Sequence, residues 1–147
     1  MEMANIIAQL PYSEPFLFVG SLESVDEEGV EGSFTFREDH PFYRGHFKGR
    51  PVTPGVLLTE CCAQVGLACL GIYLTAGQEE KGALFVLSSS EMEFYVPVYP
   101  GEKVRVRSNL HYFRFGKLKC GVRMYNAKDQ LVCKGVLAGM QLKKGNG

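Results

Sequence analysis

The sequence has no excess charge of either sign. Among its 147 residues, 16 are Lys or Arg and 16 are Asp or Glu, which makes the formal net charge zero. A protein that grips nucleic acid through bulk electrostatics carries a basic surplus, so the balance argues against that class. Low net charge also favours self-association. A disulfide framework is lacking too. The five cysteines, Cys61, Cys62, Cys69, Cys120 and Cys133, are odd in number and irregularly spaced, and three fall in one apolar stretch. They read as buried, reduced thiols of a cytosolic protein. No set of His, Cys and carboxylates converges at ligand spacing, so no metal site is expected. Met1 to Leu10 shows no basic segment followed by a long apolar run, so no secretory signal is read. No linker, repeat or low-complexity segment divides the chain, which reads as a single domain over residues 1–147.

What is present is an ordinary globular composition, 46% hydrophobic and 12% aromatic. Residues 1–9 read as a short N-terminal helix. Phe16 to Val25 and the alternating Val30 to Phe36 read as a hairpin around the acidic turn Asp26-Glu27-Glu28-Gly29. Glu38 to Pro54, rich in glycine and proline, reads as an ordered loop. Gly55 to Leu74 is apolar nearly all round, with Glu60 its only charge. As a helix it would be roughly 30 Å long, enough to span a bilayer. Glu60 and Gln64 would be penalised in lipid, so a buried core helix is expected and not a membrane span. Four strands follow: Ala83 to Val96, bent near Ser88-Ser89-Ser90; Lys103 to Arg114; Lys117 to Asn126; and Leu131 to Leu142. A loose tail over residues 143–147 is expected. This order predicts an α+β fold with one long helix on an antiparallel sheet. One sheet face covers only one side of such a helix, so the sheet must curl round it or a second subunit must close over it.

The chemistry concentrates in HPFYRGHFKGRPVTPGVLLTECCAQ, residues 40–64. His46 sits in the loop among glycines and prolines. Glu60 follows fourteen residues later on the helix, and Gln64 lies one turn beyond on the same side. Gly55 opens the helix, where backbone N–H groups lack intrahelical acceptors and the dipole favours negative charge. Removing water from a 3-hydroxyacyl thioester requires a base for the C2 proton, a donor for the thioester oxygen and an acid for the departing hydroxyl. An imidazole, a helix N-terminal amide and a desolvated carboxyl suit those three tasks. From the residues alone, His46 also reads as a structural loop histidine and Glu60 as a paired core carboxylate. His40 and His111 have no obvious partner and read as ordinary.

The block GHFKGRPVTPGVLLTECCAQ, residues 45–64, resembles the GHFPGxPVxPGVLxxEaxAQ pattern of the FabZ-type 3-hydroxyacyl-acyl carrier protein dehydratases. LPYSEPFLFVGSLESV near the start and FYVPVYPGEKV after the helix are similar to that family as well, so the resemblance covers nearly the whole chain. It implies a hot-dog fold, a curved antiparallel sheet wrapped round one long apolar helix. It implies catalytic roles for His46 and Glu60, a thioester-binding amide at Gly55, and support of the carboxylate by Gln64. It further implies a homodimer with active sites shared between subunits, hexamers of three dimers also occurring in the family. The partner would be acyl carrier protein bearing a phosphopantetheine-linked chain, in the cytoplasm, with no cofactor. Leu57 and Phe85 are candidates for lining an acyl tunnel. Arg44, Lys48 and Arg50, clustered beside the motif, are candidates for docking the acidic carrier protein. The chain departs from the family pattern at Lys48, Tyr12, Gly20 and Thr53, which points toward a specialised pathway such as polyene or polyketide assembly. Two other readings share this sequence: a hot-dog acyl thioesterase, and a non-catalytic partner subunit of a dehydratase.

Overall fold

The computed structural model describes residues 2–78 and 84–142. Helix α1 spans Met3–Ala8 and anchors itself through the fully buried Ile6. Strands β1 (Ser21–Asp26) and β2 (Gly29–Thr35) form a hairpin whose turn is held by Asp26, its side chain accepting from the N–H groups of Glu28 and Gly29. The central helix α2 covers Gly55–Leu74, as its composition predicts. Strands β3 (Leu84–Phe94), β4 (Lys103–Arg114), β5 (Lys117–Tyr125) and β6 (Leu131–Leu142) complete one antiparallel sheet in the order β1-β2-β4-β5-β6-β3.

Alternation along the strands decides which face meets the helix. Val104, Val106 and Ser108 of β4 are buried, as are Leu118, Cys120, Val122 and Met124 of β5. Arg105, Arg107 and Arg123 lie between them on the other face. The middle of α2 lies against β2, β3, β4, β5 and β6, so the sheet embraces it. Every residue from Cys61 to Ile72 is buried, which makes α2 a core helix in spite of a length and composition that would suit a bilayer. Glycine permits the close approach. A methyl group at Gly66 would lie 2.9 Å from Val122 Cγ1 and 3.0 Å from Ser108 Cβ, and one at Gly71 only 2.3 Å from the Phe85 ring. Residues Ala63–Ala68 of α2 adopt π-helical turns, a local widening that the composition does not announce. All five cysteines are free and buried, and burial pushes the thiols of Cys69 and Cys120 up to about 12.

Several details differ from expectation. β1 begins at Ser21, not Phe16, because the backbone of Phe16 and Phe18 is engaged by the side chain of Gln64 and not by a neighbouring strand. The loop from Glu38 to Pro54 contains one 3-10 turn, Pro41–Arg44, which proline opens without losing an amide bond. β5 stops before Asn126, whose side-chain oxygen accepts from the Lys128 and Gln130 amides and so builds the following turn. The bend expected near Ser88 is a register shift between Leu87 and Ser89 in the pairing of β3 with β6. The expected tail, residues 143–147, and the first residue of the expected third strand, Ala83, lie outside the described residues.

Candidate active site

The loop holding His46 is braced from within. The His46 carbonyl accepts from the Val52 amide at 2.9 Å, while Phe47 and Arg50 exchange backbone hydrogen bonds across a tight turn. Gly49 sits inside that turn at φ +72°, where a side chain would be strained. The hydroxyls of Tyr43 and Thr53, both buried, bond to each other and tie the start of the loop to its end. The His46 ring is half-buried, and its Nδ1 lies 2.9 Å from the Val52 carbonyl. A carbonyl only accepts, so Nδ1 carries the proton in the neutral ring, and Nε2 keeps a free lone pair. Phe47 stacks on the imidazole with centroids 4.2 Å apart. The His46–Phe47 peptide bond is cis.

Gly55 begins α2 after Pro54, and the amides of Leu57 and Leu58 already bond the Pro54 carbonyl. The Gly55 and Val56 amides precede the first helical acceptor and are the ones free to meet a ligand oxygen. A methyl group built on Gly55 would touch the Phe94 ring at 3.5 Å, so the glycine faces an exposed aromatic at the end of β3.

Glu60 and Gln64 share one side of α2. Gln64 is wholly buried, and each of its polar atoms is used. Its Oε1 accepts from the Phe18 amide at 2.7 Å; its Nε2 donates to the Phe16 carbonyl at 3.0 Å and to Glu60 Oε2 at 2.9 Å. Burial raises the Glu60 pKa above its ordinary value, and the Gln64 hydrogen bond opposes part of that rise. Glu60 lies on the wall of a cavity of about 260 Å³ formed with Tyr12, Phe16, Ala63, Leu67, Ala68, Phe85, Val86 and Leu87. The Tyr12 hydroxyl is pushed up to about 12, by burial first and by the Glu60 carboxylate second.

Among the sequence candidates, the single chain thus brings together Glu60, Gln64 and Phe85. His46, Gly55 and Leu57 do not line the Glu60 cavity. Arg44, Lys48 and Arg50 are exposed beside the His46 loop. His40 is buried in an aromatic nest, stacked on Phe42 with centroids 5.0 Å apart, and His111 lies exposed on the outer face of the sheet. Sequence reasoning missed Tyr12, Phe16, Ala63, Leu67, Ala68, Val86 and Leu87 as wall residues. The helical spacing of 60, 63, 64, 67 and 68 would have signalled three of them. The unusual tyrosine at position 12 was a second signal.

Comparison with known proteins places the chain in a family and a fold. The FabA-like domain model matches residues 10–137. The FabZ 3-hydroxyacyl-[acyl-carrier-protein] dehydratase of Caulobacter vibrioides is 31% identical over 99% of this chain and 91% of its own length. That of Alkaliphilus metalliredigens is 35% identical over 93% of this chain and 92% of its own length. Among solved structures, the dehydratase heterocomplex ApeI:P from Xenorhabdus doucetiae superposes with a TM-score of 0.81 at 18% identity, covering 95% of this chain and 91% of that one. A hypothetical thioesterase with coenzyme A from Streptococcus pneumoniae superposes with a TM-score of 0.62 at 12% identity, covering 84% and 85%. The two structural likenesses establish the shared hot-dog fold and leave the chemistry to the site. With the family model spanning most of the chain and full-length relatives above 30% identity, the chain belongs to the FabA-like domain family and, within it, to the FabZ-type 3-hydroxyacyl-acyl carrier protein dehydratases.

Proposed function

We propose that this chain is an active dehydratase that converts a 3-hydroxyacyl chain on acyl carrier protein to the trans-2-enoyl thioester. The observation that carries the reading is the state of Glu60. It lies on the wall of an apolar cavity, burial favours its protonated form, and a fully satisfied Gln64 aims it. A carboxyl whose protonated form is favoured by burial suits the acid that hands a proton to a leaving hydroxyl. A thioesterase would draw on an ionised carboxylate to activate water at the carbonyl, the form that burial disfavours. His46 supplies the base, its Nε2 taking the C2 proton while Val52 holds Nδ1. The electron pair of the broken C–H bond moves onto the thioester oxygen, which the Gly55 amide stabilises. As the C2–C3 double bond forms, the C3–O bond breaks and the Glu60 proton leaves in the water. Solvent then returns the proton on His46 to Glu60.

Because His46 does not line the Glu60 cavity of its own chain, the two groups meet in this reading across a homodimer. The exposed edge strand β3, with Leu87 and Phe94 uncovered, supports that assembly. Leu57 and Phe85 contact the acyl chain. Arg44, Lys48 and Arg50 receive the acidic carrier protein and its phosphopantetheine arm in the cytoplasm. The departures at Lys48, Tyr12, Gly20 and Thr53 favour a specialised pathway, such as polyene or polyketide assembly, over housekeeping fatty acid synthesis.

The test presents purified protein with 3-hydroxybutyryl- and 3-hydroxyoctanoyl-carrier protein and weighs the products by mass spectrometry. Loss of one water, abolished in His46→Ala and Glu60→Gln, is the expected result. Release of free acid would establish the thioesterase instead, and no turnover at any chain length would establish the partner subunit. Charge reversal at Arg44, Lys48 and Arg50 together should raise KM for the carrier protein and spare a short pantetheine substrate. An equal effect on both would end the docking role.

A further inference from the structure

The zero net charge conceals a strong segregation. Of the 16 Lys and Arg residues, eleven follow Glu102; of the 16 Asp and Glu residues, only Asp129 does. The positive half is the β4–β5–β6 part of the sheet. Its outward face carries Arg105 and Arg107, which pair with Glu31, Arg105 also reaching Asp129. Toward the tip of the β4–β5 hairpin the cations change character. Arg114 stands opposite Lys117, and Tyr112 opposite Lys119. The Arg114 guanidinium lies 4.3 Å from the centre of the Tyr112 ring, and Lys119 Nζ lies 5.9 Å from it. Among the described residues, none of these three cations has an acidic partner within salt-bridge distance.

The tip itself is Phe115-Gly116. Phe115 is 98% exposed and holds a backbone φ of +52°, and Gly116 follows at +74°. Such two-residue turns ordinarily take Asn, Asp or Gly first. A bulky aromatic in that conformation is unfavourable, and this one gains no packing in return. The strand ends beside the tip add uncovered apolar surface. Met140 pairs with Lys117, Leu142 pairs with Leu84, and all three apolar side chains are exposed.

We propose that this hairpin tip, Arg114 to Lys119 with Met140, Leu142 and Leu84 as its shoulder, is a contact surface for an anionic lipid bilayer. The headgroup layer of such a bilayer matches both components: anionic phosphates for the three cations, and the acyl boundary for a projecting phenyl ring. An acidic protein surface would satisfy the cations and leave Phe115 and its aliphatic shoulder unmatched, so charge complementarity alone does not favour it. A protein bound this way would work beside the membrane while its apolar helix stays in its own core.

The chain contains no tryptophan, so Phe115→Trp places a single fluorescent reporter at the tip. Its emission should shift to the blue with vesicles of phosphatidylcholine containing about one third phosphatidylglycerol, and not with phosphatidylcholine alone. Wild-type protein should float with the anionic vesicles and be released by high salt. Charge reversal at Arg114, Lys117 and Lys119 should weaken partitioning roughly a hundredfold or more, and Phe115→Ser roughly tenfold. Neither change should alter turnover of soluble carrier-bound substrate, which serves as the check on folding. No spectral shift and no flotation, or equal binding to neutral vesicles, would overturn the proposal. So would a raised carrier-protein KM in the charge-reversed variant without any vesicle binding in the wild type, which would assign the tip to the carrier instead.

Discussion

Gln64 donates to Glu60 Oε2 at 2.9 Å from a side chain that is itself wholly buried and anchored to two backbone groups some 46 to 48 residues away. The carboxyl of the candidate site is therefore held by the N-terminal segment as much as by its own helix. Replacing Gln64 with Leu would strand the Phe18 N–H in the interior, while the Phe16 carbonyl, on an exposed residue, can turn to water. One orphaned buried group costs about 1–3 kcal/mol, and a stability loss of that size is expected in urea denaturation. The same change removes the hydrogen bond that opposes the rise in the Glu60 pKa. The Glu60 carboxyl should then titrate at higher pH than in the wild type when followed by carbon-13 NMR. A titration that moves downward would show that Gln64 does not stabilise the charged form.

Glu60 and His40 should give the stability profile two opposed slopes. Burial raises the Glu60 pKa above its ordinary value of 4.5, so between that value and the raised one the folded chain binds more protons than the unfolded chain. Stability from this group is full below about pH 4.5 and falls as pH rises through the window. His40 is lowered from 6.5, by burial first and Arg37 second. There the unfolded chain binds more protons, and stability falls as pH drops from about 6.5 through the lowered value. Glu60→Gln should remove the first slope and His40→Phe the second, read from urea midpoints between roughly pH 4 and 8. If both variants keep the wild-type slopes, other groups govern the pH response.

The Tyr43–Thr53 hydroxyl pair closes the loop that carries His46. Thr53→Val orphans the Tyr43 hydroxyl, and Tyr43→Phe orphans that of Thr53, each in a buried site, at about 1–3 kcal/mol. The double variant should cost less than the sum of the two, by about 1 kcal/mol. Activity should fall in both single variants, because the hydrogen bond limits the freedom of the segment between them. Additive losses of stability would mean that the two hydroxyls are not partners in solution.

Much of this architecture was legible because period and spacing are local signals. The alternation of Val104 and Val106 with Arg105 and Arg107 gave β4, and the unbroken apolar run from Gly55 gave α2. Glu60 and Gln64, four apart, had to share a helix face. The remainder depends on distant residues. No pattern around Phe16 and Phe18 reveals that Gln64 will engage their backbone, which is why β1 starts later than its hydrophobicity suggests. The wall facing Glu60 comes from Tyr12 and from Phe85 to Leu87, segments far apart in the chain that only the tertiary fold brings together. The charge segregation lies in the order of the residues, and a net total of zero does not show it.

Gly71 offers the sharpest test of how the cavity is shaped. A methyl group there would lie 2.3 Å from Phe85 Cε2 and 2.6 Å from Cδ2 and Cζ, closer than real contacts allow. The Phe85 ring is therefore placed where it is because residue 71 has no side chain. Its other side meets Phe113, with centroids 5.9 Å apart, and Phe85 also lines the Glu60 cavity. Gly71→Ala should drive the ring toward that cavity and shorten the space for an acyl chain. Overpacking costs about 1–3 kcal/mol, and the better helix propensity of alanine offsets up to about 1 kcal/mol of it. The expected result is a modest fall in stability with a clear fall in the ratio of kcat/KM for octanoyl over butyryl substrates. Adding Phe85→Leu, which removes the clashing ring, should restore the ratio toward wild type. If Gly71→Ala changes stability but leaves the chain-length ratio intact, the ring has moved elsewhere and Phe85 does not set the depth of the cavity.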